Sequence, residues 1–316
     1  LERKRFRKML IPAFAGTGAS PCMLRFFETV FVQPALKSDR SPSVNSTLRA
    51  VTSYKHFLMA ITLCFGVWNT VFANASLPFC DASPLLNLVD RPTAADSPCV
   101  VPLRDALVEM GTQYQKLLSQ GHLQNFPETE LRIGLPQNSE FFVLLPNYIH
   151  ASIPSSGFAS TSFGIKHEIA FTNRWIISIE GFLTPPSGSY YYGNQGIESI
   201  LDGIFSYNIN DKLSLTGMLG VSTQTLVTSA NLSERFSSLN PDVLLTWTLQ
   251  DNIQLFAEIY GQSKTGPTTG VGYNTDAGIT YLVTKNMTMD LEFGHNLQGV
   301  LGDFEQYIGA GFAIKF

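Results

Sequence analysis

The chain alternates apolar and polar residues with a period of two over most of its length. Between residues 104 and 316, segments of roughly ten to fourteen residues carry this pattern, which is typical of β-strands with two different faces. In the last segment the apolar face consists of Ile308, Ala310, Phe312, Ile314 and Phe316. An exposed apolar face is unfavourable in water but suits lipid. The pattern therefore predicts membrane-spanning strands, with the edge strand of a soluble sandwich as the alternative.

Short turns and long loops alternate between these segments. Short turns rich in Asn and Asp, which tolerate left-handed backbone, are predicted at 136–139, 172–173, 210–211, 250–252 and 285–286. Long loops are predicted at 120–125, 147–158, 185–196, 225–237, 263–270 and 298–303. Five short and six long connections join twelve strands, with both ends of the barrel on the short-turn side. We therefore predict an all-β fold, a twelve-stranded antiparallel up-and-down transmembrane β-barrel of the outer-membrane type, at residues 103–316.

The residues before the barrel divide into three predicted segments. Residues 54–75 hold a basic start, an apolar run and a final Ala-Asn-Ala sequence, which is typical of a signal peptide. Residues 1–53 are interpreted as a mistranslated or non-structural leader, with a genuine amino-terminal extension as the alternative. Residues 76–102 are rich in Pro and have no strand pattern. They are predicted to form a short periplasmic strap or plug.

Two cysteines, Cys80 and Cys99, precede the first predicted strand. An oxidising compartment favours a disulfide between them, but the bond also requires a close approach of the Cβ atoms, which spacing alone does not establish. A metal site is the competing interpretation, and it is disfavoured because no further Cys or His lies nearby in the sequence. We predict neither a metal nor a cofactor.

The sequence after residue 75 is acidic. It carries 11 Lys and Arg against 22 Asp and Glu, a formal net charge of −11, which disfavours a nucleic-acid partner. Strand parity turns most of the charged side chains toward the interior. The predicted lumen-lining residues are Glu180, Glu198, Asp202, Glu258, Asp276, Asp290, Glu292, Lys166, Arg174 and Lys212. The excess of carboxylates predicts a wet lumen that favours cations over anions.

The predicted width limits what such a barrel can pass. Twelve strands give a backbone radius of roughly 12 Å, and inward side chains take up about half of it. We therefore expect either a narrow, selective path or an interior closed by residues 76–102 together with inward aromatic side chains. These aromatic side chains are Phe142, Phe182, Phe256 and Tyr260.

Several short stretches resemble one family of outer-membrane proteins. They include 87–93 (NLVDRPT), 121–127 (GHLQNFP), 130–134 (ELRIG), 215–224 (LTGMLGVSTQ) and 307–311 (YIGAG). They resemble the outer-membrane transporters grouped under the MetA pathway of phenol degradation, and the likeness extends over most of residues 85–316. The resemblance implies an outer-membrane barrel that assists the passage of small molecules, including aromatic ones. It implies no particular binding residues.

The sequence thus predicts a selective channel for small, aromatic or hydrophobic solutes in the outer membrane of a Gram-negative bacterium. Its expected partners are outer-membrane lipid, small-molecule solutes and the barrel-assembly machinery, which is expected to read Phe312, Ile314 and Phe316. One alternative is a closed structural or adhesive barrel that works through an exposed loop at residues 190–192 (YYY).

The other alternative, a surface hydrolase, requires a Ser, a His and an orienting group brought together on the wall. The four histidines after residue 75 are His122, His150, His167 and His295, and none lies in the His-x-Ser-Asn pattern of barrel lipases. We therefore predict that the protein is not an enzyme.

Overall fold

The computed structural model describes residues 78–81, 85–152, 155–227 and 233–316. The predicted leader at 1–53 and the predicted signal peptide at 54–75 lie outside the described residues. The described residues form one short helix, α1 (Pro78–Asp81), a 3-10 turn at Leu301–Asp303 and fourteen strands. No helix in this part of the chain is long and apolar enough to cross a membrane.

All pairings between the strands are antiparallel. Their bounds are β1 (Ala106–Leu117), β2 (His122–Leu135), β3 (Ser139–Leu145), β4 (Tyr148–Ala151), β5 (Gly157–Phe158), β6 (Ser162–Phe171), β7 (Trp175–Thr184), β8 (Glu198–Asn208), β9 (Leu213–Val227), β10 (Ser233–Gln250), β11 (Ile253–Gln262), β12 (Gly272–Thr284), β13 (Met287–Gln298) and β14 (Phe304–Lys315).

The sheet closes on itself because β1 pairs with β2 on one side and with β14 on the other. Both β3 and β4 pair with β2, so together they occupy one position in the wall. The next position is shared by β5 and β6, since β5 pairs with β4 and β6 pairs with β3. The fourteen segments therefore fill twelve positions in the wall. The predicted twelve-stranded antiparallel barrel is confirmed.

The connections follow the predicted alternation, with corrections at three long loops. The loop expected at 120–125 is wrong in length, because β2 begins at His122 and pairs with β1 from there. The loop expected at 225–237 is also too long, since β9 continues to Val227 and β10 starts at Ser233. The loop expected at 147–158 contains β4 and β5. About ten residues span a bilayer, so longer strands extend past the lipid. Where the strands extend past the lipid, both of their faces carry polar residues, so the sequence of these strand ends resembles that of a loop.

Burial alternates along the strands as the parity predicts. Leu245 and Trp247 of β10 are 41% and 47% exposed, whereas Leu244 between two outward residues is 7% exposed. A separate apolar cluster lies at the short-turn end, where Phe79, Leu85, Leu88, Val89 and Val101 pack against the wall residues Leu107, Ile176 and Ala313. These five apolar side chains therefore attach the residues that precede β1 to the short-turn end of the wall.

Candidate functional site

Residues 85–102, here called the plug segment, lie against the inner face of the barrel. Leu85 and Val101, near its two ends, both belong to the apolar cluster at the short-turn end. The residues between these ends reach inward and contact the charged side chains of the wall. A disulfide joins Cys80 to Cys99, whose Cα atoms lie 5.8 Å apart. The bond therefore links the helix before the plug segment to the returning end of that segment.

The plug residue Asp90 is the centre of a buried ion-pair network. Its carboxylate lies 3.0 Å from Lys166 Nζ and 2.9 Å from Arg132 Nη1. Arg132 also contacts Glu109 at 3.0 Å and Glu140 at 2.9 Å. The side chains of Arg132, Lys166, Glu109 and Glu140 have no exposed surface. Because buried charges are costly unless they are paired, this network specifies where Asp90 must lie.

The next plug residue, Arg91, lies across the seam that closes the barrel. Its guanidinium contacts Glu128 at 2.9 Å, Asp290 at 3.4 Å and Glu292 at 3.7 Å. Gly111 of β1 pairs with Gly311 of β14 directly beneath it. A Cβ atom at Gly111 would lie 2.1 Å from the guanidinium carbon, and one at Gly311 would lie 2.5 Å from Nε. The two glycines therefore form the recess that admits Arg91.

Carboxylates of the wall also bind the backbone of the plug segment. The N–H groups of Ala94 and Ala95 donate to the two oxygens of Glu258 at 2.8 and 2.7 Å. Val100 N–H donates to Glu168 at 3.0 Å, and Val101 N–H donates to Glu140 at 2.7 Å. Hydrogen bonds to an ionised carboxylate are roughly twice as strong as neutral ones. The wall therefore binds the backbone of the plug segment as well as its side chains.

Asp96 of the plug segment faces like charges. Burial raises the pKa of Asp96 well above its ordinary value, and the neighbouring carboxylates Glu180 and Asp90 raise it further, while Lys166 opposes them. A protonated Asp96 carboxyl presents no negative charge to Glu180 and Asp90. The docked plug segment therefore favours a neutral Asp96.

Most of the predicted lumen-lining residues point inward. Glu180, Asp202, Glu258, Asp276, Asp290, Glu292 and Lys166 are each at most 6% exposed. Glu198 begins β8 at the long-loop end, where its carboxylate accepts bonds from the N–H and hydroxyl of Thr225. The expectation fails for Arg174 and Lys212, which are exposed in short turns. Both residues lie outside the strands, where inward and outward positions no longer alternate.

The sequence did not single out Asp90 and Arg91, because they lie in a stretch without strand periodicity. Their partners are up to 199 residues away along the chain, so no local pattern indicates the contacts. The available signal was the stretch 87–93, which holds both charges and belongs to the sequences that resemble the transporter family.

One group of carboxylates has the spacing of metal ligands. Oxygens of Asp90, Glu109 and Glu130 lie within 4.8 Å of one another. Arg132 pairs with Asp90 and Glu109, and Lys166 also pairs with Asp90. Two of the three carboxylates, Asp90 and Glu109, are therefore already paired with cations and belong to the buried ion-pair network.

Two Ser–His contacts were not predicted. At the start of β3, Ser139 Oγ lies 2.9 Å from His167 Nδ1. Between β4 and β5, Ser156 Oγ lies 3.0 Å from Nδ1 of His150, a residue of β4. The Ser139 hydroxyl also contacts the carbonyl of Gln137 at 3.1 Å. These pairs are the arrangements against which the hydrolase alternative must be tested.

Comparisons with known proteins agree with this architecture. Residues 89–316 match the model of the family described as "Putative MetA-pathway of phenol degradation". No curated protein matches the chain. A crystal structure of an outer-membrane channel from Pseudomonas putida F1 is similar with a TM-score of 0.57 and 11% identity, covering 71% of this chain and 100% of that chain.

Two porins are also similar, at lower scores. The NanC porin has a TM-score of 0.47 and 10% identity, covering 67% of this chain and 100% of its own. The KdgM porin has a TM-score of 0.45 and 15% identity, covering 66% and 99% respectively.

Proposed function

We propose that this chain, which belongs to the family of the MetA pathway of phenol degradation and is an outer-membrane β-barrel, is a selective channel for small solutes, aromatic ones included. In its resting state the plug segment occupies the interior. Passage of a solute requires that this segment leave its contacts with the wall.

The observation that carries the proposal is the polar attachment of the plug segment inside the barrel. Asp90, Arg91 and the backbone N–H groups of Ala94 and Ala95 are held by ion pairs and hydrogen bonds, and of these residues Ala95 also packs against Leu244 and Phe256. Ionic and hydrogen-bonding groups become hydrated when they separate. Replacing these contacts by contacts with water therefore costs much less free energy than the same contacts are worth in the absence of water. A segment attached in this way can be displaced while the antiparallel wall stays intact.

The charge of the interior supports selectivity for cations or neutral solutes. When Arg91 leaves with the plug segment, Glu128, Asp290 and Glu292 lose their cation, and Glu258 loses its two N–H donors. The vacated path is then lined by uncompensated carboxylates, which attract cations and repel anions. Salt should weaken this preference, because it screens the lining charges.

Planar-bilayer recording of the refolded mature chain tests the proposal. We expect rare, cation-selective openings that small aromatic solutes block. Arg91→Gln should open more often, because it removes three ion pairs of the plug segment. Arg174→Gln is the matched control, since Arg174 is an exposed arginine in a short turn.

Absence of conductance in the wild type and in Arg91→Gln would contradict the channel. It would favour the closed structural or adhesive barrel, whose working surface would include Tyr190 and Tyr191, 51% and 60% exposed. Lipid hydrolysis that is lost in Ser139→Ala would instead favour the hydrolase.

A further inference from the structure

The guanidinium of Arg91 occupies a defined site on the inner face of the wall. Glu128 of β2 and Asp290 and Glu292 of β13 surround it at 2.9, 3.4 and 3.7 Å. We infer that this site, here called the fork site, also binds external planar cations that carry two NH2 groups on one carbon, such as guanidinium and amidinium compounds, in competition with Arg91. This inference rests on the proposed channel, because a ligand that replaces Arg91 would release the plug segment.

The shape of the fork site fits a planar group. A Cβ atom built at Gly111 would collide with the guanidinium carbon and with both terminal nitrogens of Arg91, and the carbon would be the nearest of the three. Such an atom would therefore sit above the face of the guanidinium, not beyond its edge. Gly311, paired with Gly111, leaves the same kind of space beside Nε and Nη2. The guanidinium thus lies with its face against bare backbone, which a planar cation approaches more closely than a tetrahedral ammonium group does.

The carboxylates bind the two terminal nitrogens of the guanidinium. Nη1 donates to Glu128 Oε2 at 2.9 Å, and Nη2 donates to Asp290 Oδ1 at 3.4 Å. The remaining nitrogen, Nε, is buried and has no hydrogen-bond partner among the described residues. The site therefore recognises the positive charge and the two terminal nitrogens, and it makes no hydrogen bond to the group that links them to the rest of Arg91. A small cation with the same two nitrogens offers the wall the same contacts.

The fork site has a solvent-accessible side even while Arg91 occupies it. The side chains of Asp290 and Glu292 are 3% and 1% exposed, whereas those of Arg91 and Glu128 are 15% and 22% exposed. Water therefore reaches the site beside Glu128. Because three carboxylates face one guanidinium, the site attracts a second cation and repels anions.

Neighbouring amides of the wall orient two of the three carboxylates. Gln113 Nε2 donates to Glu292 Oε1 at 3.2 Å, and Asn125 Nδ2 donates to Glu128 Oε1 at 3.4 Å. Both amides belong to strands, so these contacts do not depend on the plug segment. The fork site is therefore preorganised by the wall, which lowers the cost of binding an external ligand.

Chemical rescue of Arg91→Ala tests the fork site without relying on conductance. The substitution removes the internal guanidinium from the refolded mature chain, and the melting temperature is followed by heat-modifiable mobility in the presence of each probe. At ten times its dissociation constant, methylguanidinium should raise the melting temperature by about 3–6 °C. Acetamidinium, which has the same two nitrogens on one carbon, should act similarly, whereas methylammonium should not. A response to methylguanidinium without one to acetamidinium would narrow the ligand class to guanidinium compounds.

Second substitutions in Arg91→Ala locate the rescue in the fork site. Gly111→Ala should abolish the rescue, because its methyl group would lie where the guanidinium lies. The matched control is Gly203→Ala on β8, where a Cβ atom meets nothing within 4 Å. Glu128→Gln should lower the affinity for methylguanidinium about tenfold or more. Glu305→Gln, at a carboxylate that is 43% exposed, should leave that affinity unchanged.

The test does not require that Arg91→Ala fold well on its own. If it refolds poorly, the yield of the heat-modifiable form replaces the melting temperature as the readout, and methylguanidinium should raise that yield. Two results would overturn the assignment: no response of Arg91→Ala to methylguanidinium in either readout, or an equal response to methylammonium.

Bilayer recording of the wild type tests the competition and separates the site from the channel. Methylguanidinium should increase the open probability, and methylammonium at the same concentration should not. A wild-type conductance that does not respond to methylguanidinium would contradict the displacement of Arg91. Rescue of Arg91→Ala without any conductance contradicts the proposed channel and leaves the fork site standing.

Discussion

Replacing Arg132 by Met should destabilise the barrel more than any exposed charge substitution. Arg132 is fully buried and contacts Asp90, Glu109 and Glu140 at 2.9 to 3.0 Å. Its Nη1 and Nη2 atoms also donate to the carbonyls of Leu88 and Cys99 at 2.6 and 3.2 Å. Methionine fills a similar volume but leaves three carboxylates and two carbonyls without this donor.

Removing one partner of a buried ion pair typically costs about 3–5 kcal/mol. We expect a loss of that size in the free energy of unfolding, which corresponds to a factor of roughly 150 to a few thousand in the unfolding equilibrium. The assay is urea unfolding of the refolded mature chain, followed by tryptophan fluorescence and by the heat-modifiable shift in gel mobility.

A control and a rescue make this prediction specific. Lys116→Met removes an ion pair with Glu305 whose partners are 48% and 43% exposed, so it should have an effect within about 1 kcal/mol. Adding Glu109→Gln and Glu140→Gln to Arg132→Met should recover part of the stability, because it removes the uncompensated charges. If Arg132→Met is no more destabilising than Lys116→Met, the buried network does not hold the plug segment.

Three further perturbations test separate parts of the account. The pKa of Asp96 is raised in the docked state, so docking of the plug segment is favoured while this carboxyl is protonated and weakens as pH rises through the raised pKa. The open probability in bilayer recordings should therefore increase with pH. Asp96→Asn should abolish that increase. Leu245→Arg should cost roughly 2–4 kcal/mol near the bilayer midplane, and inward Thr246→Arg far less, in folding titrations into lipid vesicles. Deleting Phe316 should leave a chain that is exported but poorly inserted, and normal heat-modifiable mobility would contradict its role as an assembly signal.

The wall could be predicted from the sequence because each strand carries its own information. Alternation at residues such as Leu245, Thr246 and Trp247 reports the two faces directly, and turns such as 285–286 mark the strand ends. The parity rule fails where strands stop, which is why Arg174 was placed in the lumen. It also fails where strands extend past the lipid, as at His122, because the outward face there is no longer apolar.

The plug segment could not be derived in the same way. Its position depends on pairs such as Asp90 with Lys166, 76 residues apart, and on the recess formed by Gly111 and Gly311. Neither feature has a local pattern. The prediction that residues 76–102 form a strap or plug rested on the lack of strand periodicity, and it did not indicate which wall residues this segment would meet.

The most direct test of the central claim is the conductance of a chain that lacks residues 85–98. This deletion removes Asp90, Arg91 and the residues bound to Glu258, while Cys80 and Cys99 stay in the chain. Heat-modifiable mobility first establishes that the barrel has folded. The account predicts that the wild type opens rarely in planar bilayers and that the deletion variant conducts steadily with a preference for cations. A folded deletion variant that does not conduct would contradict the claim that the plug segment closes the solute path.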